Sequence, residues 1–240
     1  MTTDTLTAVV TGAASGIGRA LAEALHARGA RLVLTDIDGD ALSATATRLG
    51  ATAVAADVAD PAAMSALAAQ APQARLICLN AGVVGQQLGA PWEVTPEDWN
   101  RVFDINVGGV VNGLRAFVPQ LLAAGEPANV LITASLAGLT VFPGGGAYGP
   151  SKHAVTAIAA HAAMALADTP VRVSMICPAL VATGMSSEGV EPSVVAAEAL
   201  QAIDDGVFAV APGEWHEAVV AQAGQIVSGR QPTPPAPRSA

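Results

Sequence analysis

Along the chain, short runs of Val, Leu and Ile alternate with longer Ala-rich stretches whose apolar positions recur at helical spacing. The short runs predict strands at Thr7–Val10, Arg31–Thr35, Thr52–Ala55, Leu76–Leu79, Asn129–Thr133, Val171–Ile176 and Val207–Ala211, with helices filling the gaps. Each run is apolar on both sides of the two-residue strand period, as strands covered by helices on both faces require. Regular strand–helix alternation is the mark of repeated βαβ units on a parallel sheet. The fold class expected is α/β: a doubly wound parallel sheet of about seven strands with helices on both faces. No low-complexity linker breaks the rhythm, so residues 1–229 read as a single domain.

Two stretches stand out from this rhythm. The segment HAVTAIAAHAAMALA, which follows Lys152, is apolar almost all round. A helix of that kind is buried on more than one side, here with the sheet on one side and a second subunit on another. The last segment, GRQPTPPAPRSA, is too rich in Pro for regular hydrogen-bonded structure. Residues 230–240 are expected to form an extended tail, frayed or draped over a partner.

Composition narrows the classes of partner. At 240 residues the chain can bury a substantial core. Charged residues are 13 % of the total, against the roughly 25 % usual in soluble proteins. With a net charge of −9 and no cluster of Lys and Arg, neither nucleic acid nor an anionic membrane surface has an electrostatic partner here. The first residues, MTTDTLTAVVTG, lack the basic start of a secretory signal. No uninterrupted apolar run reaches the ~18 residues of a membrane span, so the expected location is cytoplasmic. Cys78 and Cys177 each sit in a β-like apolar run, as buried inert thiols do. His153 and His161 share a helix two turns apart with no third ligand, and no metal site is expected.

Candidate chemistry begins directly after the first strand, at TGAASGIG, Thr11 to Gly18. Glycines at 12, 16 and 18 allow a sharp turn, a close ligand and tight helix packing, and the following helix offers unpaired N–H groups to a pyrophosphate. The second strand ends at Asp36, where a carboxylate can accept from both hydroxyls of an adenosine ribose. No Arg or Lys lies in the turn or beside Asp36 to neutralise a 2′-phosphate, so NAD is expected over NADP. The acids at 36, 38 and 40 superficially resemble a calcium loop, but the glycine is at the fourth position and Thr47 stands where the bidentate Glu belongs.

With the glycine turn, ADV at Ala56–Val58, NAG at Asn80–Gly82, FDINVGG, ITASLAG and YGPSK in this order, the chain resembles a short-chain dehydrogenase/reductase of the shorter, single-domain branch. The resemblance covers roughly Thr7 to Thr183 and implies a Rossmann-like sheet, with a cofactor half to about residue 135 and a catalytic and substrate half over about 136–229. It implies a catalytic set of Asn106, Ser135, Tyr148 and Lys152. It also implies a cofactor site at Gly12, Ser15, Gly16, Ile17, Gly18, Asp36, Asp57, Val58, Asn80, Ala81 and Gly82, with Tyr148, Lys152, Pro178, Val181 and Thr183 at the nicotinamide end. Two departures weaken the carry-over: Ala179 stands where the family usually has Gly, and the chain does not end in the Asp-Gly-Gly tail of many relatives.

The roles follow from acid–base chemistry. A hydride leaves an alcohol carbon only if the hydroxyl proton is removed as it goes, and free Tyr titrates too high, near 10. Lys152 follows Tyr148, the only tyrosine, by four residues and so shares its helical face. A cation within ~4–6 Å lowers a phenol by about 1–3 units. A compact ammonium can also reach the ribose hydroxyls, which the wide Arg fork cannot do equally well. Ser135, at a strand end, can bond the substrate oxygen. Asn106 falls within a helix, where Asn is intrinsically poor, so it is expected to bond backbone or water inside the fold, and the resemblance implies that it holds a water relaying the proton from Lys152.

The substrate wall expected is Ser135, Leu136, Val141, Phe142, Tyr148, Leu180 and Met185, joined by Val84 and Gln86, with the short stretch from Gly184 to Ser193 as a mobile lid. That wall is mainly apolar and lacks an Arg or Lys, which suits a neutral secondary alcohol or ketone. A homodimer or homotetramer is implied by the resemblance, built on the helix of Lys152 and the helix of Asn106. The alternatives are an NADPH-linked 3-oxoacyl-type reductase, against which Asp36 argues, and a non-catalytic NAD(H)-sensing protein, whose mark would be a damaged catalytic set.

Overall fold

The computed structural model describes residues 6–183 and 188–238. Seven parallel strands form one sheet: β1 (Thr7–Thr11), β2 (Arg31–Asp36), β3 (Thr52–Ala55), β4 (Leu76–Leu79), β5 (Ala128–Thr133), β6 (Val171–Ile176) and β7 (Ala209–Val210). Their order across the sheet is β3-β2-β1-β4-β5-β6-β7. The chain therefore winds outward in one direction from β1 and in the other from β4, and a crevice opens between these two strands at their C-terminal ends.

Period-2 alternation sends successive strand residues to opposite layers. Val9, Ile77, Val130 and Val173 pack with Leu67 of α3 (Pro61–Gln70), Phe117 of α5 (Gly109–Ala124) and Val155 of α6 (Tyr148–Ala165). Val10, Leu34, Cys78 and Leu131 pack with Leu21 of α1 (Gly16–Ala27), Leu42 of α2 (Gly39–Leu49) and Leu200 of α7 (Pro192–Asp204). Helix α4 (Pro96–Phe103) continues into α5 through a π-helical turn, Asp104–Gly108. The continuous helix from Pro96 to Ala124 is long and apolar enough to cross a membrane, contrary to what the uninterrupted apolar runs suggest. A third of its apolar stretch is buried, with Val110, Phe117 and Leu121 in the core.

The sheet departs from expectation at its edge. β7 is two residues long, not the five of Val207–Ala211. Gly206 turns with φ +68°, and the Val207 N–H donates to Ala202 O (2.8 Å), closing α7 before the strand begins. Beyond β7 lie a 3-10 turn, Gly213–Trp215, and α8 (His216–Val227). The Pro-rich segment is extended, and it lies along α8 of its own chain.

Candidate active site

The sheet's C-terminal edge carries a cavity of about 1200 Å³, bounded by residues that follow β1 through β6. Single-ligand sites span roughly 300–1,000 Å³, so there is room for a large and a small ligand together.

At one end lies the glycine turn. Gly12 has φ +67°, and a Cβ there would stand 2.9 Å from Ala81 Cα. Gly16 has φ +51°, and a Cβ there would stand 3.1 Å from Thr183 Cγ2. Helix α1 starts at Ser15 with no side-chain cap and no acid in its first turn. Asp38, Asp60 and Thr95 cap α2, α3 and α4, whereas α6, α7 and α8 share with α1 the lack of a side-chain cap. An uncapped N-terminus aimed at a cavity is a ready anion site. Gly12, Ser15, Gly16 and Ile17 line the cavity; Gly18 does not. Its role is packing, because a Cβ would stand 2.1 Å from Gly12 O.

Asp36 lines the cavity at the end of β2, its carboxylate accepting from the Ala14 N–H (3.0 Å) and the Asp38 N–H (3.1 Å). Asp57 and Val58 line it after β3, and Ala81 and Gly82 after β4. Asn80 also reaches it, while its side chain ties three strands together. Its Nδ2 donates to Thr11 O (3.1 Å), and the Thr133 hydroxyl donates to its Oδ1 (3.0 Å). Pro178, Val181 and Thr183 complete this wall after β6.

The candidate reacting groups Ser135, Tyr148 and Lys152 line the same cavity. Ser135 follows β5; its Oγ accepts from the Ala137 N–H (3.1 Å), its hydroxyl donates to Pro178 O (3.5 Å), and it lies close enough to the Tyr148 phenol to lower that phenol's pKa. Tyr148 opens α6, and burial pushes its phenol above the ordinary tyrosine value while the Ser135 hydroxyl pulls it down. Lys152 lies one turn on, with Nζ 5.7 Å from the Tyr148 ring centroid and donating to Thr133 O (2.9 Å). Burial lowers Lys152 to about 8, against a smaller upward pull from Cys177. Burial likewise raises the Cys177 thiol to about 11 and the Cys78 thiol to about 12, so both stay neutral near pH 7.

Asn106 sits in the π-helical turn, buried behind the cavity surface and not in its lining. Its Oδ1 accepts from the Val83 N–H (2.8 Å), and its Nδ2 donates to Val83 O (2.9 Å) and Ser151 Oγ (3.0 Å). Ser151 in turn donates to Tyr148 O (2.7 Å). A Cβ on Gly82 would stand 3.0 Å from Asn106 Oδ1 and 3.4 Å from Lys152 Nζ, so the two side chains meet across that glycine. π-turns inside α-helices often mark functional sites.

On the substrate side, Leu136, Phe142, Leu180 and Val84 line the cavity. Val141 does not: its side chain is half-exposed and its backbone is held by Gln222. Nor does Gln86, whose N–H is engaged by the carboxylate of Asp98 (2.9 Å). The backbone amides of Gln86 and Gln87 hold that carboxyl below the usual range. Met185 lies outside the described residues, as does much of the proposed lid, whose far end pairs Val190 with Leu180 and Ala182. Sequence reasoning missed Trp215, which lines the cavity edge-on to Phe142 (5.5 Å, 72°). A large aromatic in a chain with 3 % aromatics was its only signal. Arg101 of α4, which the expected substrate wall did not include, also lines the cavity, with Glu97 and Asp104 of the same helical stretch.

Residues 6–193 match the family model of the short chain dehydrogenases. The chain is 44 % identical over 214 residues to a 1-deoxy-11-beta-hydroxypentalenate dehydrogenase of Streptomyces avermitilis, covering 85 % of this chain and 79 % of that one. Over 190 residues it is 37 % identical to a 2-(R)-hydroxypropyl-CoM dehydrogenase of Xanthobacter autotrophicus, covering 75 % and 76 %. Among solved structures, it superposes with a TM-score of 0.91 on a short chain dehydrogenase/reductase of Burkholderia phymatum in complex with NAD. The identity there is 33 %, with 97 % of this chain and 98 % of that one covered.

Proposed function

The chain belongs to the short-chain dehydrogenase/reductase family of oxidoreductases, and on that premise we propose that it moves a hydride between NAD(H) and an apolar secondary alcohol or its ketone. The observation that carries this reading is the grouping of Tyr148, its Ser135 partner and the buried Lys152 ammonium in one cavity with an uncapped helix N-terminus. The glycine turn fits a dinucleotide, since Gly12, Ser15, Gly16 and Ile17 line the cavity at the α1 N-terminus, whose first N–H groups carry no side-chain cap. Gly12, Gly16 and the α1 N-terminus would hold the pyrophosphate, Asp36 the adenosine ribose, and Lys152 the nicotinamide ribose. When bound, the oxidised cofactor supplies the hydride acceptor.

In the oxidative direction Tyr148 Oη takes the proton of the substrate hydroxyl, and Ser135 Oγ donates to the substrate oxygen as charge builds there. Burial alone opposes phenolate formation, so the field of the Lys152 ammonium is needed to bring Tyr148 toward working pH. Asn106 acts from behind: through Ser151 and Val83 it fixes the start of α6 and the strand-end backbone. Both hydrogens of its amide are committed, so its part in a proton relay from Lys152 is limited to its oxygen acceptors.

The preference for NAD rests on Asp36, which would meet a 2′-phosphate with a carboxylate. An apolar wall is supplied by Leu136, Phe142, Leu180 and Trp215; a relative named for dehydrogenating 1-deoxy-11-beta-hydroxypentalenate, a hydroxylated carboxylate, supports an alcohol as the reacting group. The same reading includes a homodimer or homotetramer, supported by α6, where Met164 is 71 % exposed. The test is a panel of propan-2-ol, cyclohexanol and borneol with NAD and NADP. Turnover is expected with NAD, and Tyr148→Phe should lower it by about 10²–10⁴-fold with NADH binding nearly intact. Equal or better rates with NADP would overturn the cofactor assignment, and a Tyr148→Phe variant keeping most of its rate would overturn the mechanism.

A further inference from the structure

Gln222 is 5 % exposed, an unusual place for a primary amide on the last helix of a domain. All of its polar capacity is used, and on two different segments. Its Oε1 accepts from the Thr140 hydroxyl (2.7 Å) and the Val141 N–H (2.6 Å). Its Nε2 donates to Val141 O and to Thr233 O, both at 3.0 Å. One side chain thus fastens the loop after β5 and the Pro-rich segment to the same face of α8.

The Pro-rich segment is held at two further points. Thr233 N–H donates to Gln225 Oε1 (2.9 Å), while Gln225 Nε2 donates to Thr233 Oγ1 (3.0 Å). Arg238 N–H donates to Glu214 O (2.9 Å), and its guanidinium pairs with Glu217 at 3.2 Å. That ion pair is exposed and worth little, but the backbone bond lands on the 3-10 turn that carries Trp215. Trp215 meets Phe142, the residue after Val141, edge-on in the cavity wall. The contacts close a circuit: loop to Gln222, Gln222 to Thr233, Arg238 to the Trp215 turn, and Trp215 back to the loop.

We infer that Gln222 is a positioning residue for substrate recognition, which with the segment 230–238 sets the Phe142–Trp215 wall of the cavity. The pyrophosphate and adenosine part of the cofactor site, at Gly12, Gly16 and Asp36, shares no element with this circuit. The inference rests on the oxidoreductase reading only for the identity of what the wall meets. Its chemistry favours a bulky apolar alcohol, because two rings set edge to face present a broad, stiff apolar surface that a small alcohol cannot cover.

The test compares Gln222→Leu and Gln225→Leu with the wild type. Gln225 shares the face of Gln222 but is only partly buried, and among the described residues its side chain bonds only Thr233, so its variant releases Thr233 while leaving the Gln222 bonds to Thr140 and Val141 in place. Three quantities are measured: amide exchange of residues 139–147 and 213–217 in the ligand-free protein, the NADH dissociation constant, and kcat and KM for borneol and propan-2-ol with NAD. For Gln222→Leu, exchange in 139–147 should rise by about five- to tenfold, the scale of one buried hydrogen bond. KM for borneol should rise by a similar factor, with kcat, the propan-2-ol KM and NADH affinity within about twofold. Gln225→Leu should raise exchange at 213–217 and shift the borneol KM in the same direction. Unchanged exchange in 139–147, or NADH affinity falling as far as the borneol KM rises, overturns the inference. Should Gln222→Leu not fold, Gln225→Leu decides alone, and unchanged exchange at 213–217 overturns it. Should the wild type oxidise none of the alcohols, the oxidoreductase reading fails while the exchange data still decide the positioning role.

Discussion

Replacing Lys152 by Met separates what this lysine does for chemistry from what it costs the ligand-free fold. Its ammonium is buried, and its pKa falls from 10.5 to about 8, chiefly through desolvation. At about 1.4 kcal/mol per unit, the charged form is about 3 kcal/mol more costly in the folded chain than in the unfolded one. A base with a depressed folded pKa gives stability that is complete above 10.5 and is lost as pH falls through about 8. Between these values the unfolded chain holds a proton that the folded chain does not, so wild-type stability from this group rises with pH. Lys152→Met removes the effect at every pH, and loses the bond to Thr133 O as a constant offset of about 1–3 kcal/mol. Urea unfolding of both proteins without cofactor at pH 7, 8, 9 and 10 is the assay. The stability of the Met variant relative to wild type should fall by about 2–3 kcal/mol between pH 7 and pH 10. Cys78 and Cys177, both raised by burial, lose stability above the ordinary thiol range in both proteins and largely cancel in the difference. A relative stability that stays flat with pH would refute the claim that Lys152 is held against a desolvation penalty.

Two further substitutions test the cofactor end. Gly18→Ala places a Cβ 2.1 Å from Gly12 O and 2.6 Å from Asn80 Nδ2. It should cost about 1–3 kcal/mol by thermal unfolding and weaken NADH binding by displacing the turn; a variant with unchanged melting and NADH affinity would show that the turn has slack. Asp36→Asn removes the carboxylate that would repel a 2′-phosphate, so the NAD over NADP ratio of kcat/KM should fall by about tenfold or more. An unchanged ratio would place cofactor discrimination elsewhere.

Most of the sheet could be read from the chain because buried parallel strands are short apolar runs that alternate with helices whatever their neighbours. β7 resisted, since Gly206 closes α7 with a left-handed turn that uses up Val207. A run of apolar residues does not say where a helix cap ends and a strand begins. The continuous helix from Pro96 to Ala124 resisted for a related reason: only the packed neighbours distinguish a core helix from a span of the same length and apolarity.

For the site, the sequence by itself determined the types and order of the candidate reacting groups. The glycine turn, Asp36, Ser135 and the pair Tyr148 and Lys152 sit at local positions, a strand end or one helical turn, that chain geometry fixes without help from distant residues. Only the tertiary structure decided which side chains meet the cavity. It left Gly18 with the helix packing expected of it and no place in the cavity lining, held Asn106 on backbone partners inside the fold as expected, turned Val141 away from the cavity and brought in Arg101 and Trp215. It also showed that burial, which no local pattern reports, lowers Lys152 and raises Tyr148. The Pro-rich segment is the plainest case: its composition dictates an extended chain, but that it lies on α8 depends on Gln222, Gln225 and Glu214 offering partners to its backbone. Backbone conformation is a local property, whereas the choice of hydrogen-bond partner belongs to whatever the fold places alongside.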